Sequence, residues 1–452
     1  MKAAAWCAFV AGWGAWVAAF AAGNGAGLAP DRTLQERIDA AAPGETVVVG
    51  PGTHAGSLVI SKPLRLIGEG MPHLRGTGSG RTLSILAPDV TVRGFRISGS
   101  GLRLMDDDAA VFVAADRAVI EQNVIEDSLH GIYLKRASDC RVEGNRIRGK
   151  TRLDAMPDRK VEAGMGGGDC DVGDLVANRR GNGIHQWNCE RNVIRGNAIA
   201  DARDGIYFSF TNHCLVEGNR VTGVRYGLHY MYSNDNRFVG NTFSENAAGA
   251  ALMFSQRLVV RDNRFVSNRG FRAYGLIFQS VEDTVLEGNR IERNAVGLSF
   301  NQCNRNRVVG NRIAGNYIGL RFGSNSDENA FSLNRFERNL HPVEATGQGE
   351  GNRWAVAGVG NRWEGAADFD LDRDRINDLP HRELDLFGVL RRDFPAVGLL
   401  SESPVVRALR FAHQRAALPG LHTIEDPAPL SARFRLPVPS PASDIPPLAS
   451  LP

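Results

Sequence analysis

The segment EGNRVTGVRYGLHYMYSNDNRFVGN, residues 217–241, contains one complete copy of the repeat that decides the fold. Its two Gly-Asn pairs place Asn219 and Asn241 22 residues apart, and Gly227 precedes Asn241 by 14 residues. The asparagine marker recurs along the chain at Asn123, Asn145, Asn197, Asn219, Asn241, Asn263, Asn289, Asn311 and Asn334. A glycine marker precedes most of these asparagines by 14 residues, with only the last pair off by one residue: Gly131, Gly183, Gly205, Gly227, Gly249, Gly275, Gly297 and Gly319. Two markers that share one period indicate a repeat protein.

A 22-residue unit with short strands rich in Val, Ile and Phe predicts one rung, that is one turn, of a parallel β-helix. Leucine-rich repeats share this length, but their L-x-x-L-x-L-x-x-N frame is absent. The recurring asparagine is expected to take the left-handed conformation at a corner, because its short polar side chain tolerates it. Amides stacked one rung apart are also expected to hydrogen-bond as a ladder along the axis. The predicted fold class is all-β.

The repeat glycine also predicts which side chains face outward. Successive residues of a strand point to opposite faces, so the residues one and three after each glycine should fill the interior. Those two and four after it should project outward, which places His229 and Met231 on the outer face. Met253 follows on the next rung beside Met231, and His185 belongs to the same outward stripe.

Two interpretations of this stripe remain open and are compatible with each other. Thioether and imidazole groups are ligands that favour Cu(I), so His229, Met231, Met253 and His185 are candidate copper ligands. Methionine normally fills cores, and an outward pair is also typical of a surface that contacts a protein partner.

An insert interrupts the repeat at residues 149–180, within the 52-residue interval between two marker asparagines. It leaves the helix at the corner that leads into the His/Met strands. Long loops often cover functional sites, although an ordinary surface loop is an equally valid interpretation. Its soft donors are further candidate metal ligands: Met156, Met165 and Cys170.

The two ends of the chain differ from the repeats. Residues 1–22 have the basic start, apolar run and small-residue site of a cleaved signal peptide, which predicts export. The repeats are expected to occupy residues 31–346, with a capping helix at their start. Residues 347–426 are interpreted as a C-terminal cap that docks a partner, and residues 427–452 as a proline-rich tail.

Composition and cysteine spacing exclude some functions. A formal net charge of +3 gives no electrostatic case for a nucleic-acid partner. Cys140 and Cys214 lie two rungs apart, and Cys189 and Cys303 lie five rungs apart, so neither pair meets disulfide geometry. The alternating aspartates of DFDLDRDRINDLP, residues 368–380, resemble a calcium loop. The turn glycine and distal glutamate of an EF-hand are absent, which weakens a calcium assignment.

Several phrases, in this order along the chain, resemble the NosD family: GIHQWN (183–188), DGIYFSFT (204–211), YGLHYMYSND (226–235), AGAALMFS (248–255) and DFDLDRDRINDLPHRELDLF (368–387). The resemblance implies a right-handed parallel β-helix in the periplasm. It also implies an accessory protein that works with an ABC-type membrane transporter to deliver copper to nitrous oxide reductase. The reductase or a copper chaperone would be a further partner, and the membrane would be contacted only through a partner. The family's aspartate loop usually contains glycines where this chain has Arg373 and Arg375, which further weakens calcium binding.

The main alternative is a β-helix enzyme, a lyase or an epimerase, that acts on acidic polysaccharide. The outer stripe holds no stacked pair of acidic residues, and the Asp-Pro-His phrase typical of uronan epimerases is absent. The sequence therefore predicts a protein without catalytic activity. A passive scaffold that only docks the transporter and the reductase remains a third interpretation.

Overall fold

The computed structural model describes residues 33–150, 180–383 except 270–272, 324, 346–348 and 367, residues 424–434, and a few positions between 403 and 412. The predicted signal peptide, the insert between 151 and 179 and the tail beyond 434 lie outside the described residues. Within the described residues, no helix is both long and apolar enough to cross a bilayer.

Three parallel sheets form the walls of a solenoid, and each rung contributes one strand to each sheet. The first sheet contains β1 (Thr46–Val49), β4 (Arg65–Gly68), β7 (Thr91–Arg93), β10 (Val119–Glu121), β13 (Arg141–Glu143), β16 (Val193–Arg195), β19 (Leu215–Glu217), β22 (Arg237–Val239), β25 (Val259–Arg261), β28 (Val285–Glu287), β31 (Arg307–Val309) and β34 (Ala330–Ser332). The second contains β2 (Thr53–Ala55), β5 (His73–Arg75), β8 (Arg96–Ser98), β11 (Val124–Ile125), β14 (Arg146–Arg148), β17 (Ala198–Ala200), β20 (Arg220–Thr222), β23 (Thr242–Ser244), β26 (Arg264–Val266), β29 (Arg290–Glu292), β32 (Arg312–Ala314), β35 (Arg335–Glu337) and β37 (Arg362–Trp363).

The third sheet carries the His/Met stripe. It contains β3 (Leu58–Ile60), β6 (Leu83–Ile85), β9 (Ala109–Val113), β12 (His130–Lys135), β15 (Ile184–Trp187), β18 (Asp204–Ser209), β21 (Tyr226–Met231), β24 (Ala248–Gln256), β27 (Tyr274–Glu282), β30 (Val296–Asn301), β33 (Ile318–Phe322) and β36 (His341–Ala345). The predicted fold, an all-β parallel β-helix, is confirmed.

Short elements close the two ends of the solenoid. Helix α1 (Leu34–Ala40) begins with a capping box on Thr33 and buries Leu34 and Ile38, as the sequence predicts. Between β8 and β9, away from both ends, a 3₁₀ turn covers Leu104–Asp106. Beyond the last rung, β38 (His381–Glu383) pairs antiparallel with β39 (Ile424–Asp426).

The interior facing prediction is confirmed along the third sheet. The residues one and three after the repeat glycines are buried and, apart from the buried Gln186, belong to one hydrophobic core. Identical positions stack from rung to rung; the rings of Phe278 and Phe300, for example, have centroids 5.1 Å apart and are nearly parallel. The four described cysteines of the repeats are free and buried, as expected, and burial raises the pKa of Cys140 to about 12.

The predicted asparagine ladder is present, but the asparagines do not form the corners. The side chain of Asn219 donates to Asn241 Oδ1 at 2.9 Å and to the Ile194 carbonyl at 2.8 Å. The left-handed conformation belongs to the preceding residue, with φ of 64° at Gly218 and 65° at Gly240. The prediction that the asparagine itself adopts the left-handed conformation is wrong. The residue before it makes the turn and directs the asparagine amide into the interior.

The repeat glycines are required by close packing between rungs rather than by a turn. A methyl group at Gly227 would lie 2.4 Å from the Gly249 carbonyl oxygen, and one at Gly205 would lie 2.2 Å from the interior side chain of Val221. The glycine and the residue after it therefore both face inward. Strict alternation fails at this point, so the residue before each glycine joins the outer face.

Candidate functional site

The outer face of the third sheet carries a row of aromatic and histidine rings. Strand register aligns Tyr133, His185, Tyr207 and His229 on four successive rungs. Successive ring centroids lie 4.2, 4.5 and 5.1 Å apart. We refer to these four residues as the ring stack.

His229 is oriented by a buried ion pair. Its Nδ1 lies 2.9 Å from Asp204 Oδ2, and Arg225 binds both oxygens of the same carboxylate at 2.9 and 2.8 Å. The Asp204 side chain is only 1% exposed. Burial raises its pKa, but the hydrogen bonds and charges of His229 and Arg225 outweigh burial and hold the pKa below the usual range. In a neutral imidazole that donates its Nδ1 proton to this carboxylate, Nε2 keeps its lone pair, as in carboxylate–histidine–metal sites.

Two thioethers lie beside this histidine. Met231 is two residues after His229 on β21 and pairs in register with Met253 on β24. Neighbouring strands are about 4.8 Å apart, so the two side chains start within reach of one ion. The structure thus brings His229, Met231 and Met253 together on the face directed away from the solenoid interior.

The expectation of an open methionine surface is wrong for Met253, which is only 4% exposed. Met253 packs in a cluster separate from the interior core, with Met231 half-buried at its edge. We call this the outer apolar cluster; its buried members are Tyr226, Ala248, Ala251, Met253, Tyr274, Ile277, Val296 and Ile318. Apolar neighbours on both adjacent strands therefore cover the thioether.

The other candidate ligands do not join this group. His185 is two rungs from His229, with the Tyr207 ring between them. Burial, together with the neighbouring His130, holds the pKa of His185 well below the usual range, so its imidazole is neutral at pH 7. Met156, Met165 and Cys170 lie outside the described residues.

Sequence reasoning missed a cleft beside the ring stack. Its walls include Asp204 and Arg225, together with His130, Asn182 and Arg203. His130, Asn182 and Asp204 each directly precede a repeat glycine. Their common position was the available signal, but strict alternation would have turned these side chains inward.

The aspartate loop brings three carboxylates together. Oxygen atoms of Asp370, Asp372 and Asp374 lie within 4.8 Å of one another. Among the described residues, no other three side chains of His, Cys, Asp or Glu lie as close together. Arg373 and Arg375 have positive φ values of 63° and 75°, a conformation that glycine adopts more readily. Calcium binding at this loop stays a prediction.

The sequence is similar to a described protein family and to two named proteins. A family described as periplasmic copper-binding protein (NosD) matches residues 169–367. A protein of Pseudomonas aeruginosa, named a probable ABC transporter binding protein NosD, is 30% identical over 86% of this chain and 88% of its own length. A protein of the same name from Stutzerimonas stutzeri is 30% identical over 84% of this chain and 85% of its own length.

A solved structure shares the fold at low sequence identity. The A-module of the mannuronan C-5 epimerase AlgE6 from Azotobacter vinelandii aligns with a TM-score of 0.53 and 15% identity. The alignment covers 72% of this chain and 93% of the module. At this identity the likeness concerns the β-helix architecture alone.

Proposed function

The chain belongs to the NosD family of periplasmic copper-binding proteins, and on this premise we propose that it accepts Cu(I) and delivers it for assembly of the copper sites of nitrous oxide reductase. An ABC-type membrane transporter is the proposed partner, in keeping with the name of the two relatives. The reductase, or a copper chaperone, would exchange the metal with this chain.

The observation that carries the proposal is that His229, Met231 and Met253 lie on the same outer face of two adjacent strands. An imidazole nitrogen and two thioether sulfurs are soft, uncharged donors, which favour Cu(I) over the harder cations of the periplasm. The Asp204 carboxylate fixes the imidazole so that Nε2 is the free donor. Three protein donors also leave room for a ligand from the protein that gives or takes the metal.

The burial of the donors is suited to transfer. Met253 is enclosed by the outer apolar cluster, whereas Met231 and His229 are partly exposed. A partner can therefore approach from the side of Met231 and His229, while the apolar neighbours keep water from Met253. This arrangement supports a carrier role over a purely passive scaffold.

The direct test is anaerobic titration of Cu(I) against a competing chelator. A variant carrying Met231→Leu, Met253→Leu and His229→Gln should fold normally and lose affinity by about 100-fold or more, because all three donors are removed. Met71→Leu with Met105→Leu is the matched control, since both methionines are exposed elsewhere. Wild-type affinity in the triple variant would contradict the site and direct attention to Met156, Met165 and Cys170.

Delivery is tested separately in cells. Nitrous oxide reductase purified beside the triple variant should contain less copper than reductase purified beside the wild-type chain. If its copper content is unchanged although the variant no longer binds Cu(I), the chain acts as a scaffold. Removal of residues 403–452 should weaken co-purification with the transporter, and full co-purification would place docking on the β-helix.

We propose that the role is non-catalytic. The purified chain is expected to release no unsaturated product from alginate or pectin, and the absorbance of unsaturated uronates provides the assay. Accumulation of such a product, abolished by His229→Gln, would contradict this and favour the polysaccharide enzyme.

A further inference from the structure

The cleft beside the ring stack is a concave site of about 280 Å³ on the outer face of β12, β15, β18 and β21. Tyr133 and Tyr207 contribute rings to its lining, and Asn182 and Arg180 form part of its wall. Aromatic walls with a few fixed polar groups are the usual composition of a small-molecule site. Its size suits a single six-membered ring with substituents.

The lining of the cleft carries more positive than negative charge. Three arginines, Arg180, Arg203 and Arg225, face two aspartates. Asp204 forms an ion pair with Arg225. Asp107 forms one with Lys135, which lies outside the lining, at 2.7 Å between Nζ and Oδ2. By formal count the arginines and aspartates of the lining leave one positive charge in excess, and Lys135 beside the cleft adds another, so an anionic ligand is favoured.

Two polar atoms of the wall are buried without a hydrogen-bond partner among the described residues. Asn182 is 6% exposed, and its Oδ1 has no partner, although its Nδ2 lies 3.1 Å from His185 Nδ1. The Nε of Arg180 is also buried and unpaired. Such atoms cost free energy unless ordered water or a ligand satisfies them, and a ligand that enters the cleft must take over this role. The acceptor requires a hydroxyl or amine donor, and the guanidinium requires an acceptor, preferably a carboxylate.

We propose that this cleft binds a sugar acid, that is a pyranose ring with one carboxylate. The carboxylate pairs with Arg180, and a ring hydroxyl donates to Asn182 Oδ1. The C–H face of the ring packs on Tyr133 and Tyr207, whose rings supply apolar area with a polar end. A neutral sugar leaves the guanidinium unpaired, and a bare inorganic anion leaves the aromatic lining and Asn182 unused.

Binding is measured by calorimetry with glucuronate, glucose and inorganic phosphate, using the mature full chain. Glucuronate should bind and glucose should not. Arg180→Gln should weaken glucuronate at least about tenfold, the effect of one charge-assisted hydrogen bond. Asn182→Asp keeps the shape of the side chain but adds a negative charge to the cleft that holds the ligand's carboxylate. This substitution should therefore also weaken glucuronate binding.

Arg191→Gln is the matched control, because it removes the same charge from an exposed ion pair with Asp139 outside the cleft. It should leave glucuronate affinity within about twofold of wild type. Equal affinity for phosphate and glucuronate would overturn the assignment, as would unchanged glucuronate binding in both cleft variants. A uronate trimer that binds more tightly than glucuronate would show that the acid is recognised within a chain.

His229 lines this cleft and is also a proposed copper ligand, but Arg180 and the two thioethers each belong to one site only, so the two proposals can fail separately. Arg180→Gln should keep the Cu(I) affinity of the wild-type chain, because Arg180 is not a candidate ligand. Met231→Leu with Met253→Leu should keep glucuronate affinity, because neither methionine lines the cleft. Loss of both affinities in either variant would show a single shared site and overturn the separation.

Discussion

The inner and outer faces of the third sheet are built on the same strands, yet they differ in how strictly packing limits the residue types they carry. Inside, the rungs present apolar side chains to the same neighbours, with Gln186 as the exception, and Leu228 and Tyr230 follow this pattern. Outside, the face changes along the axis from the ring stack to the outer apolar cluster. His229 pairs with Ala251 and Met231 with Met253 at this border. The interior is uniform because packing specifies it, whereas the outer face can vary and can carry chemistry.

The largest expected effect is on the interior. Asn241 is fully buried, donates to the Val216 carbonyl and Asn263, and accepts from Asn219. Asn241→Ala leaves several of these groups unsatisfied and should lower the free energy of unfolding by about 4 kcal/mol. Urea denaturation measures this. Thr242→Ala, one residue later and half-buried, is the control and should cost less than about 1 kcal/mol. Equal losses would contradict a specific role for the ladder.

The next effect concerns the buried ion pair of the outer face. Asp204→Asn leaves the Arg225 charge buried without its carboxylate and should destabilise the protein by about 3 kcal/mol. Asp235→Asn is the matched control, because Asp235 also forms a two-contact pair with an arginine, Arg257, but at an exposed corner. This change should cost less than about 1 kcal/mol. If both variants lose the same free energy, burial does not distinguish the two pairs.

The pH dependence of Asp204 has a definite sign. Its pKa is lowered in the folded state, so its contribution is present above the unfolded pKa of about 3.9 and is lost as pH falls. Wild-type stability should therefore decrease more steeply below about pH 4 than that of Asp204→Asn. Parallel curves in urea denaturation would contradict the lowered pKa.

The contrast between the faces also explains what the sequence could predict. The period and the interior positions were predictable because each rung repeats them, and Leu228 was assigned from Gly227 alone. Asp204 was not predictable as an outer residue, because Gly205 and Ile206 both face inward and break the alternation. Its pairing with Arg225 joins residues 21 positions apart, which requires the exact register of neighbouring rungs.

A smaller effect is expected from His185. Burial lowers its pKa, so folding favours the neutral imidazole, and this contribution is present above the unfolded pKa of about 6.5. It is lost as pH falls, by up to about 1.4 kcal/mol per pH unit for one proton. The decrease in stability from pH 7 to pH 5.5 should therefore be smaller in His185→Gln. An unchanged decrease would assign it to other groups.

The smallest effect is expected at the border between the two parts of the outer face. Leucine conserves the volume and apolarity of methionine, so each single substitution should cost less than about 1 kcal/mol. Met253 is 4% exposed and is a buried member of the outer apolar cluster, whereas Met231 is half-buried and only packs against its edge. Met253→Leu should therefore cost more stability than Met231→Leu, because a branched side chain must refit a filled space. Cu(I) affinity should not follow this order, since each change removes one thioether. If the loss of copper affinity instead parallels the loss of stability, packing rather than ligation explains it.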